Sequence, residues 1–452
     1  MKIRKLFLLA GMAGILACTE RPEPYGPVPT PAQVEWQQME MNMFVHFGPN
    51  TFSGLEWGTG LEADDLFRPT ELDCRQWART AKAAGMKGII LTAKHHDGFC
   101  LWPNPVSQHS VKDLDVLKEL SEACREEGLK FGVYISPWDR NDPAYGTPEY
   151  NRKYAETLRS VHDGTYGPIF EQWFDGACGE GPNGKRQEYD WPLFNSTVQT
   201  LQPDAIQFSD VGPGCRWVGN ERGMAGETNW STLNTDGRAP GASAPFLRSL
   251  TEGDEDGAAW IPAEADVSIR PGWFWHPGED AQIKSVEELM DIWYSSVGRN
   301  AVLLLNVPAD TRGKIPAADS LRLLEFRARR DSIFAHNLAS SVAGPGKQLL
   351  DGDYNSYTVL RQPSFLLRLR EPHAFNRILL QEYIPLGQRV SAFKVEAKQD
   401  GRWAEIAAGT TIGYKRILRA PTTTADSVRV IITGAKATPV LSEAGLYLDP
   451  WD

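Results

Sequence analysis

Residues 167–176 read GPIFEQWFDG, and this stretch decides the fold. A nearly continuous apolar run ends in an acid followed by glycine, which is typical of a buried strand that stops at a turn. A helical segment, FNSTVQTLQP, follows at 194–203, and a second apolar run, AIQFSDVG, occupies 205–212. Such a strand, helix and strand with fully apolar strands indicate a parallel sheet that is covered by helices.

The same alternation extends from about Met41 to Arg330. Further apolar runs and the helical segments between them lie at 41–48, 74–85, 86–96, 116–130, 131–138, 150–162, 264–270, 286–298, 300–308 and 321–334. About eight such units predict a (β/α)8-type barrel. A doubly wound sheet fits less well, because no Gly-rich dinucleotide turn follows the first strand.

The pattern changes after Asn337. Short alternating strands, separated by turn residues, include the hairpin signal QDGRW at 399–403. We therefore predict a catalytic barrel domain at 36–336 and a β-sandwich domain at 337–452. Within the latter, LLDGDYNSYTVL resembles the start of galactose-binding-like modules, some of which bind sugars or calcium. A domain that only packs against the barrel is the interpretation we favour.

The N-terminus carries an export signal. Basic residues precede a short apolar run that ends ILAC, and a Pro-rich stretch follows. We predict a lipoprotein-type signal peptide at 1–17, a lipid anchor on Cys18 and a tether at 18–35. The alternative is ordinary cleavage, with Cys18 incidental. The expected location is outside the cytoplasm, as a periplasmic or outer-membrane-anchored bacterial lipoprotein that meets the membrane only through this anchor.

Composition excludes several classes of function. The net charge is −11 and no run of Lys or Arg occurs, which argues against nucleic acid as a partner. Without Cys18, the cysteines are odd in number and show no CxxC spacing, so neither a zinc site nor a disulfide framework is indicated. The 15 Trp are more suggestive, because the flat indole face stacks on the C–H face of a sugar.

Polar and aromatic residues follow the predicted strands. Parallel barrel strands end on one rim, where active sites form. Each residue alone has a structural explanation, since a strand-end Asp often caps the next helix. The set on one rim favours an active site: His46, Asn50, Glu56, Trp57, Lys94, His95, His96, Asp97, Trp138, Asp139, Arg140, Trp173, Asp175, Asp210, Arg216, Asn220, Glu221, Glu264, Asp266, Arg270, Trp273, Trp275 and His276.

The inventory of this rim points to glycoside hydrolysis. A metal site that uses His46, His95 and His96 with Asp175 is disfavoured, because adjacent strand residues point to opposite faces. No GxSxG elbow and no phosphate loop occur. Carboxylates, imidazoles and Trp remain. They can supply a nucleophile, an acid/base with a raised pKa and a wall for the sugar.

Five motifs carry a family resemblance. FVHFGPNTF, EWG, KHHDGF, SPWDR and WFDGA, in this order, resemble glycoside hydrolase family 29, the retaining α-L-fucosidases. The resemblance extends from about Trp36 to Phe334. RWVGNERG and EADVSIRPGWFWH look like the subfamily that is selective for α-1,3/1,4-linked fucose on Lewis-type glycans. The resemblance implies fucosylated glycans as substrates, with neither a metal nor a cofactor.

The resemblance also implies roles for individual residues. Asp175 matches the nucleophile and Glu221 the acid/base, with Glu227 and Glu264 as competitors for the second role. Arg216 is expected near the subsite, and Trp138 and Trp273 as aromatic walls. The positions that match contacts to the fucose ring are His46, Glu56, Trp57, His95, His96 and Trp173.

The expected activity is therefore that of a retaining, exo-acting α-L-fucosidase. A fucosidase of broad specificity, a non-catalytic glycan-binding lipoprotein on the same fold and a different exo-glycosidase are the alternatives. The first would cleave all fucosyl linkages alike. The second would have lost a catalytic carboxylate, and both are present in this sequence. A substrate-assisted hexosaminidase would need an Asp-Glu pair at a strand end, which is absent near Asp175.

Overall fold

The computed structural model describes residues 22–241 and 246–452. The predicted signal peptide at 1–17 and the predicted lipid anchor at Cys18 lie outside these residues. No helix in the described ranges is long and apolar enough to cross a membrane. The five cysteines of the described chain form no disulfide, and all except Cys178 are buried.

Eight parallel strands of the described chain close into a barrel in the order β1-β8-β7-β6-β5-β4-β3-β2. They are β1 (Met41–Val45), β2 (Gly88–Lys94), β3 (Lys130–Ile135), β4 (Ile169–Trp173), β5 (Ile206–Ser209), β6 (Cys215–Trp217), β7 (Ala263–Ser268) and β8 (Ala301–Asn306). The predicted (β/α)8-type barrel is thus confirmed.

Helices cover the barrel. Within the described ranges they are α1 (Pro31–Met39), α2 (Pro49–Ser53), α3 (Cys74–Ala83), α4 (Val116–Glu127), α5 (Pro148–His162), α6 (Trp191–Leu201), α7 (Leu247–Glu252), α8 (Val286–Ser295) and α9 (Ala317–Phe334).

Successive residues of a barrel strand point alternately to the helices and to the barrel interior. Met41 and Met43 face the helices, whereas Phe44 packs in the barrel interior with Trp173 and Phe208.

Helix α1 lies within the segment predicted to be a tether. A capping box at Thr30 starts it, with Pro31 at its first position. Its residue Trp36 enters the barrel interior, where the indole Nε1 donates to Glu171 Oε2 at 2.7 Å. Burial of Trp36 holds this part of the chain against the barrel, so the extended tether is wrong for residues 31–35.

The residues after α9 form an antiparallel β domain, as predicted. Its strands are β9 (Ser341–Ala343), β10 (Thr358–Val359), β11 (Ser364–Glu382), β12 (Val390–Gln399), β13 (Arg402–Gly409), β14 (Arg416–Ala435) and β15 (Val440–Tyr447). They pair in the order β10-β15-β11-β14-β12-β13, with β9 on β11. The long strands β11 and β14 contain register shifts, and alternate residues such as Phe365, Leu367 and Val430 form a separate apolar core.

Polar contacts join the β domain to the barrel. Tyr414 N–H donates to Asn300 Oδ1 at 2.7 Å, and the Tyr414 hydroxyl donates to Glu40 at 2.9 Å. Asn300 itself is buried at a φ of 62°, a conformation that Asn tolerates better than most residues. The two domains therefore meet at the amino ends of β8 and β1, which directly follow Asn300 and Glu40.

Candidate active site

A pocket of about 540 Å³ opens at the carboxyl ends of β4 to β7. Three of its carboxylates follow these strands, as the barrel rule predicts, and the fourth, Asp266, lies within β7. Asp175, Asp210, Glu221 and Asp266 line it, together with the aromatic residues Trp173, Tyr189, Trp191, Phe208 and Trp217. The pocket thus combines acids with flat apolar surfaces.

Asp175 is held firmly at the end of β4. Its Oδ1 accepts the backbone N–H of Ala177 at 2.7 Å, and its Oδ2 accepts the hydroxyl of Tyr134 at 2.8 Å. His96 Nε2 lies 3.6 Å from the same Oδ2. One quarter of the Asp175 side chain remains exposed, which leaves the carboxylate accessible from the pocket.

Glu221 lines the same pocket from the loop after β6. Partial desolvation raises the pKa of Glu221, a hydrogen bond with Trp273 lowers it in part, and the charges of Asp175 and Glu56 raise it further. The residue as a whole remains exposed at the rim. The structure therefore brings Asp175 and Glu221 together and gives them different surroundings.

Two further acids of the pocket, Asp210 and Asp266, belong to the predicted rim set, although no catalytic or substrate-binding role was predicted for them. Asp266 is buried and accepts the indole N–H of Trp217 at 2.8 Å. Burial, and then the charge of Glu221, raise the pKa of Asp266 well above its usual value. Burial also raises the pKa of Asp210 to about 6, against the hydrogen bond from Gly241 N–H. Asp210 directly follows β5, and Asp266 lies within β7 on the same side of the strand as Glu264.

The three predicted histidines cluster beside Asp175. His46 Nδ1 lies 2.8 Å from Asn306 Oδ1, and His96 Nδ1 lies 2.8 Å from Ser136 Oγ. Burial lowers the pKa of His46 to about 3 and that of His96 to about 4, and it lowers the pKa of His95 well below its usual value. All three are therefore neutral near pH 7 and able both to donate and to accept hydrogen bonds.

The sequence argument that placed His95 and His96 on opposite faces is wrong. Strand β2 ends at Lys94, so both residues lie in the following turn, with ring centroids 4.1 Å apart. His95 Nδ1 is buried and has no hydrogen-bond partner among the described residues. No group of three or more His, Cys, Asp or Glu within 22–241 and 246–452 has a metal-binding arrangement.

Trp173 forms the floor of the pocket. Its ring stacks on Phe208 at 3.9 Å, and its Nε1 donates to Glu264 Oε1 at 2.8 Å. Glu264 is fully buried in the barrel interior, where it is hydrogen-bonded to Glu171. Burial raises the pKa of both carboxyls, that of Glu171 to about 7, and the charge of Glu171 raises the pKa of Glu264 further.

Three other predicted aromatic residues lie on the histidine side of Asp175 and are not among the residues that line the pocket of about 540 Å³. Trp138 packs on His96 with ring centroids 4.6 Å apart, and Trp57, which is 62% exposed, lies 6.0 Å from Trp138. Trp273 lies beside His46 at 5.1 Å. Glu56 accepts the backbone N–H groups of Trp273 and Phe274 and contacts His276 at 3.0 Å. This carboxylate therefore fixes the loop that carries Trp273.

Arg216 does not enter the pocket, so its predicted contact with the sugar is corrected. It is fully buried on β6, between the inward-facing residues Cys215 and Trp217, and its side chain therefore points out of the barrel. The guanidinium donates to Leu250 O at 3.0 Å and to Asn229 Oδ1 at 2.7 Å. The Arg216 guanidinium therefore links the segments that carry Leu250 and Asn229, outside the barrel interior.

The two competitors of Glu221 lie elsewhere. The side chain of Glu227 is 76% exposed and pairs with Arg299 at 3.4 Å. Its backbone oxygen accepts Arg416 Nη1, so this residue lies at the boundary with the β domain. Glu264 is sealed beneath Trp173. Of the three glutamates, Glu221 alone lines the pocket with Asp175.

Comparisons with known sequences agree on one family. The family described as Alpha-L-fucosidase matches residues 25–328 of this chain. Alpha-L-fucosidase 1 of Arabidopsis thaliana is 41% identical over 457 residues, which cover 95% of this chain and 89% of the plant protein. Putative alpha-L-fucosidase 1 of Oryza sativa subsp. japonica is 42% identical, over 97% of this chain and 88% of its own length.

Solved structures give the same result. The crystal structure of SpGH29 superposes with a TM-score of 0.90 at 39% identity, over 95% of this chain and all of that chain. The GH29 fucosidase E1_10125 of Ruminococcus gnavus in complex with fucose gives a TM-score of 0.87 at 32% identity, over 95% and 96% of the two chains.

Proposed function

The chain belongs to the α-L-fucosidase family, glycoside hydrolase family 29, and we propose that it is an exo-acting enzyme that releases terminal α-1,3- and α-1,4-linked L-fucose from Lewis-type glycans with retention of configuration. The observation that carries this proposal is the pocket that Asp175 and Glu221 share. A retaining glycosidase needs one carboxylate as nucleophile and one carboxyl group as acid/base.

In the first step of the proposed mechanism, an oxygen of Asp175 attacks the anomeric carbon of fucose. A covalent bond forms between the two as the bond to the leaving oxygen breaks, and Glu221 gives its proton to that oxygen. Tyr134 and the N–H of Ala177 orient the attacking carboxylate. The raised pKa of Glu221 favours the protonated form that this step requires.

In the second step, water replaces Asp175. The Glu221 carboxylate takes a proton from the water, whose oxygen bonds to the anomeric carbon as the bond to Asp175 breaks. Fucose leaves with its original configuration, and both carboxyl groups return to their starting states. The neutral His46, His95 and His96 are suited to bind hydroxyl groups of the sugar, and Trp173 to pack against its apolar face.

The proposed preference for branched glycans rests on the sequence motifs and on the extent of the pocket. Beyond the two carboxylates, the pocket continues along Cys178, Gln187, Tyr189 and Trp191. Aromatic side chains on this side can pack against the sugars that remain after fucose has left. A pocket for fucose alone would not need this extension.

A kinetic experiment tests the two carboxylate roles. We expect Asp175→Ala to abolish turnover of an aryl α-L-fucoside. We expect Glu221→Ala to slow substrates with poor leaving groups most, by roughly 10²–10⁴-fold, and to be rescued by azide, which attacks the intermediate without a general base. Rescue of Glu264→Ala instead would assign the acid/base to Glu264 and contradict the proposal.

A substrate panel tests the linkage preference. The purified enzyme is incubated with Lewis-type trisaccharides and with simple fucosyl disaccharides, and the released fucose is measured. Faster release from the trisaccharides is expected. Equal rates on all substrates would indicate a fucosidase of broad specificity, and no release from any fucoside would overturn the proposed activity.

We also propose that the chain is exported and anchored through lipid on Cys18, a proposal that rests on the N-terminal sequence. The test is metabolic labelling with a radioactive fatty acid in a bacterial host, with Cys18→Ala as the control. Label in the wild-type protein and its loss in the variant are expected. A wild-type protein that is exported without label would favour ordinary signal cleavage.

A further inference from the structure

We propose that the C-terminal β domain positions the acid/base of the active site, by holding residues 227–231 of the loop that carries Glu221. This inference rests on the proposed role of Glu221. It assigns Gln388, Thr411 and Arg416 as positioning residues, although none of them lines the pocket. The β domain would then be a working part of the catalytic site as well as a packing partner of the barrel.

The contacts concentrate on a short segment of the loop. Thr411 Oγ1 accepts the backbone N–H of Asn229 at 2.8 Å. Gln388 accepts the backbone N–H of Ser231 at 2.7 Å and donates to the backbone oxygen of Asn229 at 3.0 Å. Arg416 Nη1 donates to the backbone oxygen of Glu227 at 2.6 Å. The β domain thus binds the loop through its backbone, which fixes the course of the chain.

These contacts are shielded from water. Asn229, Gln388, Thr411 and Arg416 are each no more than 5% exposed. A buried backbone group that loses its partner is costly, because water cannot replace the bond. The segment therefore has a strong preference for this one position.

A buried carboxylate organises the β-domain side of the contact. Glu382 Oε1 accepts the backbone N–H groups of Arg389 and Val390 at 2.8 and 2.9 Å, and its Oε2 accepts that of Gly413 at 2.8 Å. One side chain thereby gathers the loops that present Gln388 and Thr411. Glu382 therefore holds these two β-domain loops in place independently of their contacts with residues 227–231.

The loop needs outside support, because residues 218–231 contain neither a helix nor a strand. Near Glu221, the side chain of Asn220 binds the backbone of Arg222 and Met224, and Gly223 N–H donates to Asp266 O at 3.2 Å. Farther along, Ala225 N–H donates to Ser295 O at 2.9 Å and Gly226 N–H to Thr251 O at 3.1 Å, and the β domain adds its contacts to residues 227–231. A shift of the held segment would therefore be transmitted along a short irregular chain to Glu221.

The leaving group of the substrate separates this role from a purely structural one. An acid that is slightly misplaced protonates the departing oxygen less well, which matters for a sugar alcohol and matters little for an activated aryl group. If Glu221 is misplaced, we therefore expect activity on disaccharides to fall while activity on the activated aryl fucoside changes little. General destabilisation would lower the amount of folded enzyme and affect both substrates equally.

The first test compares Thr411→Val, which removes the hydroxyl at nearly constant shape, with Thr411→Ser, which keeps it. We expect Thr411→Val to lower kcat/KM for a fucosyl disaccharide by about ten-fold, a part of the roughly 10²–10⁴-fold that a general acid contributes. The value for a 2,4-dinitrophenyl fucoside should change less than about two-fold. Thr411→Ser should restore the disaccharide rate.

The second test uses two arginines of β14. Arg416→Met removes a contact to the loop, whereas Arg419→Met removes an interdomain ion pair with Asp291 of α8, 2.6 Å long, away from the loop. Only the first should show the selective loss. The Arg416 variant also serves as the test if Thr411→Val does not fold.

A double variant completes the design. In the Glu221→Ala background, Thr411→Val should cause no further loss on the disaccharide, because its effect acts through the missing acid. An additive loss, or equal losses on both substrates in folded Thr411→Val and Arg416→Met, would overturn the inference. If wild-type enzyme released no fucose, or if azide did not rescue Glu221→Ala, the proposed function would be the part that fails.

Discussion

The two carboxylates of the pocket are held in different ways. Asp175 ends a barrel strand, and its contacts to Tyr134 and Ala177 come from the barrel itself. Glu221 lies on an irregular loop that is supported by Asn220, by β7 and by the β domain. The strand end fixes the first acid directly, whereas the second depends on parts of the chain that are distant in sequence.

This difference suits the two proposed roles. A nucleophile needs one fixed line of attack, and a rigid strand end provides it. An acid/base needs a pKa set by its surroundings and contact with both leaving group and water, and a rim loop provides these. Changes beside Asp175 should therefore affect all substrates, whereas changes around Glu221 should depend on leaving group and pH.

Among variants that keep both carboxylates, the largest effect is expected for Tyr134→Phe, which removes the hydroxyl that binds Asp175. A hydrogen bond to a charged group contributes about 1.5–3 kcal/mol, so kcat/KM should fall by roughly 10–100-fold. The fall should be similar for the aryl fucoside and the disaccharide. Tyr154→Phe, which removes a buried hydroxyl that binds Ile135 O, is the control and should keep both rates. A loss of activity on the disaccharide alone would contradict the expectation that changes beside Asp175 affect all substrates.

A smaller effect is expected at Glu264, which supports Trp173 from below. Glu264→Leu leaves the Trp173 indole N–H without its acceptor and should lower the free energy of unfolding by about 1–3 kcal/mol. Because the floor of the pocket loosens, KM should rise more than kcat falls. Glu264→Gln keeps an acceptor and should resemble wild type in urea unfolding and in KM. A loss of azide-rescuable activity in the Gln variant would instead indicate a chemical role.

The pH dependence of kcat/KM tests whether Glu221 is the group whose protonation limits the rate. An acid must be protonated, so kcat/KM falls as the pH rises through the pKa of Glu221. The charge of Glu56 raises that pKa. Glu56→Gln should therefore move the basic limb of the kcat/KM profile to lower pH, by less than about one unit. A basic limb that stays in place would show that another group limits the rate.

The smallest effect on activity is expected for His162, which lies outside the pocket and contacts Gln172 at 2.8 Å. Burial lowers its pKa to about 4, so the unfolded chain binds a proton that the folded chain does not. Its contribution to stability is present above the unfolded pKa of 6.5 and is lost as the pH falls towards 4.

His162→Gln removes this titration. The slope of the unfolding free energy between about pH 4.5 and 6 should become shallower by roughly 1 kcal/mol per pH unit. The activity profile should not change. Urea unfolding at several pH values measures the slope, and an unchanged slope would show that His162 does not take up the proton.

The sequence predicted those parts of the molecule that follow from local pattern. Continuous apolar runs identified most barrel strands, because strands buried on both faces have no polar positions. The exception is β6, whose three residues are too few for a periodic pattern. The placement of Asp175 at the end of β4 followed from the same pattern.

The remaining errors concern features that depend on tertiary structure. The family resemblance placed Arg216 near the sugar, whereas alternation along β6, a strand that the sequence pattern did not reveal, directs it outwards. Asp266 was predicted on the rim and lines the pocket, but its burial and its bond to Trp217 depend on the folded barrel. The β domain contacts residues 227–231 through Gln388, Thr411 and Arg416, which are far away in the sequence. No local sequence pattern can predict such contacts.

Trapping of the covalent glycosyl-enzyme identifies the nucleophile. A 2-deoxy-2-fluoro-fucosyl donor with an activated leaving group forms the glycosyl-enzyme quickly, and the fluorine slows its hydrolysis. The labelled enzyme is digested, and the modified peptide is sequenced by mass spectrometry. We expect a single 2-deoxy-2-fluorofucosyl label, on Asp175. A label on Glu221 or Glu264, or inactivation without any covalent label, would contradict this expectation.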